Sequence, residues 1–204
     1  MARPRSFDED KALDAAIACF WSRGLEATSV RDLAEHMGVQ GPSLYNAFGD
    51  KRTLFARALE RYATRTMRER IARLELQHDP KTAIRTFVQD AIKRSVADPH
   101  RRGCLLVNSA LEVAPHDAEL RVRIAAYLEE IAAFFRRCIA AAQAAGTVPP
   151  TVDGEDTARL LLGVVLGIRV LARTNPDRAL LEGVARPALA LLDGLRPRSR
   201  RALS

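Results

Sequence analysis

Gln40, Ser43, Tyr45 and Asn46 place four hydrogen-bonding, un-ionised side chains within seven residues. An amide carries a donor and an acceptor side by side, so Gln and Asn can bond the N6/N7 edge of adenine twice at once. Ser and Tyr hydroxyls more often hold phosphate oxygens. No Lys or Arg occurs between Arg31 and Lys51, so base reading by this stretch falls to neutral groups. The cations that could hold a phosphate backbone stand at its borders: Lys51 on one side, and Arg3 and Arg5 on the amino-terminal arm. Thr28 adds a hydroxyl, and an amide-rich helix start at Asp50-Lys51 offers free N–H donors to a phosphate. The chemistry on offer is recognition of duplex DNA.

Those residues need two short helices to present them. Ser29 can cap the first, with Asp32 near its positive end and Val30, Leu33 and Ala34 facing inward. Met37-Gly38-Val39 forms a turn, and Gly41-Pro42-Ser43 opens the second, where Pro42 suits the first helical position and Leu44 and Phe48 face inward. This is the layout of a helix-turn-helix, whose second helix enters the major groove while the first braces it across the backbone. Ahead of it, Ser6 with Glu9 resembles a capping box, and Leu13, Ile17, Phe20 and Trp21 give a helical apolar face, with Trp21 in the core. Gly24 stands where a helix end needs positive φ. His36 is expected to be solvated or bonded to backbone. Asp50 caps a long fourth helix reaching to about Leu76.

Beyond it, breaks at His78-Asp79-Pro80, Asp98-Pro99-His100, Pro115-His116-Asp117, Gly146–Gly154 and Thr174-Asn175 leave helices over about 81–97, 104–113, 118–145, 155–173 and 176–195. The expectation is an all-α protein of nine helices, three small and six larger. Apolar residues at 48% and few aromatics (5%), with no alternating β-branched runs, agree with that class.

The net charge of +7 is a poor guide to the partner. Residues 1–61 hold nine Lys/Arg and nine Asp/Glu, while the tail from Arg196 alone supplies four arginines and no acid. On the fourth helix Arg57, Arg61, Arg65 and Arg68 share a face. Beyond Arg57 that face is read as solvated, because a helix climbing about 1.5 Å per residue soon leaves the duplex. The amino terminus lacks the apolar stretch of a signal peptide, and the longest apolar run, Leu160–Ile168, is shorter than the roughly 20 residues a bilayer span needs. Cys19, Cys104 and Cys138 have no metal spacing, and a reduced cytoplasmic setting without membrane is expected. The four histidines are scattered, and no hydrolase elbow, phosphate loop or metal-ligand set is present, so no cofactor, metal or enzymatic activity is expected.

A second polar pattern lies at Cys104, Asn108 and Glu112, which recur every fourth residue on an otherwise apolar helix. Apolar walls with a few convergent polar groups suit a small-molecule pocket. Cys104 follows Arg101, Arg102 and Gly103 at a helix start, a setting found for reactive cysteines; it is otherwise a small buried hydrophobe. Leu160–Ile168 is apolar nearly all round and must be buried by its own domain and a partner subunit. Leu162, Gly163, Leu166 and Gly167, with Leu189 and Leu192 of the last helix, are the expected dimer seam. Arg169 either pairs with an acid across that seam or meets an acidic ligand. A helical enzyme using Cys104 and His116, and a general nucleoid-type binder, are the alternatives from other classes.

Thr28-Ser29-Val30-Arg31-Asp32-Leu33-Ala34, then Gly38-Val39, Ser43-Leu44-Tyr45-Asn46-Ala47-Phe48 and Asp50-Lys51 strongly resemble the TetR family of bacterial repressors. The motif match spans roughly residues 7–60; the rest agrees in length and helix count. The resemblance implies a DNA-binding head over 1–50, a ligand-binding and dimerisation domain over 51–195, and a disordered basic tail over 196–204. It further implies a homodimer on a palindromic operator, released by a small-molecule inducer. Thr28, Tyr45 and Lys51 occupy the family's usual phosphate-contacting places, and some members sense electrophiles or oxidants by a cysteine, which would be the role of Cys104.

Overall fold

The computed structural model describes residues 8–194. Among these the chain is helical throughout, in nine helices. They are α1 (Glu9–Arg23), α2 (Val30–Met37), α3 (Gly41–Phe48), α4, α5 (Pro80–Val96), α6 (Leu105–Glu112), α7 (Ala118–Ala144), α8 (Gly154–Thr174) and α9 (Arg178–Leu191). Helix α4 runs as Lys51–Ala63, passes through a π-helical turn at Thr64–Arg68 and continues as Glu69–Gln77.

Local signals start most of these helices. Ser29 and Asp32 form a reciprocal capping box on α2. Asp50, Asp79, Asp153 and Asp177 cap α4, α5, α8 and α9 by accepting a backbone N–H three residues on. Helix α1 is capped by Asp8, whose carboxylate takes the N–H of Asp10 and Lys11; Ser6, expected in that place, lies outside the described residues. The π turn carries its own repair: the Thr66 hydroxyl donates to the Tyr62 carbonyl at 2.7 Å, supplying a partner where the widened turn disturbs the helical ladder.

The chain divides into two compact units, Met1–Arg70 with Arg102–Glu129, and Ile71–Arg101 with Glu130–Ser204. The unit holding α1–α3 thus also takes in the first part of α4, α6 and the start of α7. Its core is built from Phe20, Leu33, Leu44, Phe48, Leu54 and Phe55, all at most 2% exposed, with the Phe20 and Phe55 rings edge-to-face at 5.0 Å. The arginine face of α4 docks on the acids of α1. Arg61 bonds Asp14 at 2.7 Å and Asp10 at 2.8 Å, Arg65 bonds Asp14 at 2.7 Å, and Arg57 bonds Glu9 at 3.2 Å. The expectation of a solvated face is thereby corrected, since these guanidiniums tie two helices of one unit together. Arg68 pairs with Glu60, whose other oxygen accepts the Tyr127 hydroxyl at 2.5 Å. In the second unit Phe87 packs on Phe134 and Phe135, each at 5.3 Å between ring centres.

Candidate nucleic-acid interface

Helix α3 exists because Leu44 and Phe48 bury one side of it while Gln40 starts it and Pro42 holds its first turn. Burial of that side leaves Gln40, Pro42, Tyr45 and Asn46 exposed, with Ser43 and Ala47 half-buried. Tyr45 keeps 51% of its surface open, unusual for a ring that could shield itself in a core. Cap and turn fix α2 against α3: Gly38 is left-handed at φ 66°, and the Val39 N–H closes back on Ala34 at 3.0 Å. His36 bonds through Nδ1 to the Asp32 carbonyl oxygen at 2.8 Å, as a backbone-bonded histidine. The result is a neutral hydrogen-bonding surface on a short, well-anchored helix.

Its flanks are arranged differently from the sequence expectation. Thr28 is only 1% exposed, and its hydroxyl donates to the Gly24 carbonyl at 2.5 Å. It braces the turn after α1, and burial removes it from reach of a phosphate, which corrects its expected role. Lys51, half-buried, donates from Nζ to the Leu25 carbonyl at 2.9 Å. Arg52, next to it, grips Asp117 through Nε at 2.6 Å and Nη2 at 2.9 Å, and Glu119 at 2.8 Å. That fork pushes the Asp117 carboxyl well below the usual carboxylate range. Arg31 stands on the exposed side of α2. Arg3 and Arg5 lie outside the described residues.

The polar stripe of α6 turns inward to the chain's own backbone. Asn108 Nδ2 donates to the Arg102 carbonyl at 2.9 Å, and Glu112 Oε1 accepts the Glu26 N–H at 3.0 Å. Cys104 is the cap residue of α6, half-buried, with the Tyr62 hydroxyl 3.7 Å from its sulfur. Arg102 stacks its guanidinium 4.3 Å over the Trp21 ring, which itself meets Tyr62 edge-on at 5.3 Å. Trp21 is only half-buried, at the edge of the core rather than in its centre. Of the three residues expected to line a ligand pocket, Asn108 and Glu112 are bonded to backbone groups of their own chain. Cys19 and Cys138 are buried, and burial pushes the Cys138 thiol up to about 12.

Two family models match this chain, the one described as bacterial regulatory proteins of the tetR family over residues 12–58 and the tetracyclin repressor-like C-terminal domain over residues 80–188. The chain belongs to the TetR family. It is accordingly a DNA-binding transcriptional regulator of all-α fold. Among TetR-family relatives it is 32% identical over 199 residues to the HTH-type transcriptional regulator YezE of Bacillus subtilis (strain 168), covering 95% of this chain and 100% of that one. It is 28% identical over 190 residues to the HTH-type transcriptional repressor ComR of Escherichia coli (strain K12), covering 93% and 90%. A solved cysteine mutant of the TetR-family regulator CifR, in complex with a 26-base-pair operator, superposes with a TM-score of 0.82 at 34% identity over 92% of this chain and 98% of that chain.

In this TetR-family chain the residues expected at a subunit seam are unevenly placed. Leu162, Leu166, Gly167 and Leu189 are half-buried and Gly163 is exposed. Leu192 is fully buried within its own chain, so it serves the core and offers nothing to a partner. Apolar surface that does stand open on α8 and α9 is Leu160, Val170 and Leu180, at 44%, 44% and 38%. Within its own chain Arg169 donates to the Ser95 hydroxyl on α5 at 3.2 Å. A groove of about 630 Å³ runs between α5 and α9, floored by Ile92, Ala185 and Leu189 and rimmed by Lys93 and Arg186. Among the described residues no cluster of three or more metal-ligating side chains occurs, and no helix is long and apolar enough to cross a membrane.

Proposed function

We propose that this protein is a ligand-responsive repressor that acts as a homodimer on a palindromic operator. Residues 1–50 would read the DNA, and 51–195 would bind the inducer and join the subunits. The outward face of α3 carries the reading: Gln40, Tyr45 and Asn46 are exposed on a helix otherwise anchored by Leu44 and Phe48. Gln40 and Asn46 would contact base edges; Ser43, Tyr45, Lys51 and the arm residues Arg3 and Arg5 would hold the backbone, with Pro42 packed against the DNA beside them. The operator complex of CifR supports this choice of partner.

Open apolar surface at Leu160, Val170 and Leu180, and free space beside Gly163 and Gly167 where a Cβ would stand, support a partner subunit on α8 and α9. A groove of about 630 Å³ between α5 and α9 is of ligand size, and it is a better inducer site than the occupied α6 stripe. Release requires that the inducer bind one spacing of the two heads more tightly than the other. Genomic footprinting tests the reading: protection of discrete palindromes supports it, and protection without a shared site refutes it in favour of a general nucleoid binder.

Cys104 supports a second trigger, electrophile or oxidant sensing, because it is half-buried at a helix start while Cys19 and Cys138 are buried. Loss of operator binding on alkylation of the wild type, but not of Cys104→Ser, would establish that reading over the inducer.

A further inference from the structure

The turn joining α1 to α2 is held by three side chains from three places in the sequence. The Thr28 hydroxyl takes the Gly24 carbonyl at 2.5 Å, Lys51 Nζ takes the Leu25 carbonyl at 2.9 Å, and Glu112 Oε1 takes the Glu26 N–H at 3.0 Å. Three consecutive residues thus each surrender one backbone group to a side chain. The carboxylate also closes over the turn, since a Cβ placed on Gly24 would overlap it. Gly24 itself sits at φ 82°, a conformation that L side chains rarely adopt. Glu112 is 86 residues from Glu26 in sequence and belongs to α6.

We infer that Glu112 is a positioning residue for operator recognition, a role that rests on the repressor reading above. Helices α2 and α3 form one block: Val39 closes on Ala34, and Leu33 and Leu44 share a core at 0% exposure. The pose of that block against α1 is set where the chain turns, between Gly24 and Ser29. Of the three ties at that turn, Thr28 is local to it, Lys51 comes from the start of α4, and Glu112 comes from α6. A carboxylate accepting a backbone N–H is a charge-assisted bond, roughly twice as strong as a neutral one. Glu112 therefore holds the reading helix in its docking pose through the turn, without touching DNA. The tie has company, because Asp117 and Glu119, just beyond α6, hold Arg52 beside Lys51. When a phosphate draws Lys51 away from Leu25, Glu112 is the tie left on that side of the turn.

The test uses the full chain with a duplex site selected from random sequence and a scrambled duplex of equal length, read by fluorescence anisotropy, alongside thermal melting. Glu112→Ala should lose about tenfold in affinity for the selected site while keeping its affinity for scrambled DNA, the size of one lost charge-assisted bond. Glu112→Gln, whose amide oxygen still accepts the Glu26 N–H, should recover most of that loss at equal melting temperature. Equal losses on both duplexes in Glu112→Ala, an unchanged preference, or a Glu112→Gln no better than Glu112→Ala would each overturn the assignment. A wild type with no preference for any selected site would instead overturn the repressor reading itself.

Discussion

Helices α3 and α6 present the same pattern and do opposite things with it. Each is an eight-residue helix, apolar on one side, with polar side chains at helical spacing on the other. On α3, Gln40, Tyr45 and Asn46 stand exposed. On α6, Asn108 and Glu112 are bonded to the Arg102 carbonyl and the Glu26 N–H of their own chain. The difference lies in what surrounds each helix. Helix α6 lies beside irregular backbone whose Arg102 carbonyl and Glu26 N–H are within reach, and each bond formed there adds to the stability of the unit. Helix α3 follows a turn that Gly38 and Val39 close on α2, and its Gln40 and Asn46 amides stand exposed to an outside partner. A polar stripe points to a ligand only where the neighbouring backbone has no need of it.

That contrast breaks most severely at Gly24. Gly24→Ala forces a Cβ into a left-handed residue and into the Glu112 carboxylate; it should cost about 1–3 kcal/mol and lower the melting temperature by roughly 3–10 °C. A melting curve unchanged within error would show that the turn is not gripped by α6. On α3 the expected damage is to selectivity alone. Asn46→Ala and Gln40→Ala should each weaken the selected site by about 1–3 kcal/mol, roughly five- to 150-fold, with melting and scrambled-DNA affinity unchanged. Equal loss on both duplexes would put these amides on the backbone.

Asn108→Ala sharpens the comparison from the other side. It should lose about 1 kcal/mol of stability, measured by denaturant unfolding, and leave the operator preference alone. Unchanged stability with a weakened response to inducer would return α6 to the role of ligand wall. The smallest effect concerns acid. Hydrogen bonds from the Ser29 hydroxyl and backbone, then Arg23, hold Asp32 at about 2, and hydrogen bonding to Arg61 and Arg65 lowers Asp14. Folded values below the unfolded one, near 4, mean that their stabilisation is complete above about pH 4 and fades as pH falls through the folded values. The melting temperature should therefore stay level for these groups from pH 7 to about 5 and drop below about 4; a decline already between 7 and 5 would contradict it.

Much of the fold could be read from the chain because its signals are local. Ser29, Asp50, Asp79 and Pro80 start their helices whatever lies nearby, and Leu44 and Phe48 fix the buried side of α3 by spacing alone. Thr28 and Glu112 could not be placed that way. A threonine hydroxyl suits a phosphate and a carbonyl equally, and only the packing of α1 against α2 decides between them. The partner of Glu112 is a backbone N–H, which has no residue identity to recognise. The intrachain bond of Arg169 to Ser95 is hidden for a similar reason: the hydroxyl lies 74 residues away and carries no charge to match. No Gly or Pro marks the π turn of α4 at Thr64–Arg68, so no local signal announces it.

The uncharged face of α3 bears on how such a regulator competes with a whole genome. Counterion release makes every Lys or Arg contact weaker as salt rises, on right and wrong sites alike. Discrimination carried by Gln40 and Asn46 involves no ion displaced, so the ratio of operator to random affinity should be nearly independent of ionic strength even as both affinities fall. Because occupancy in a crowded genome follows that ratio rather than either affinity, the proposed repressor would keep its share of the operator through osmotic stress.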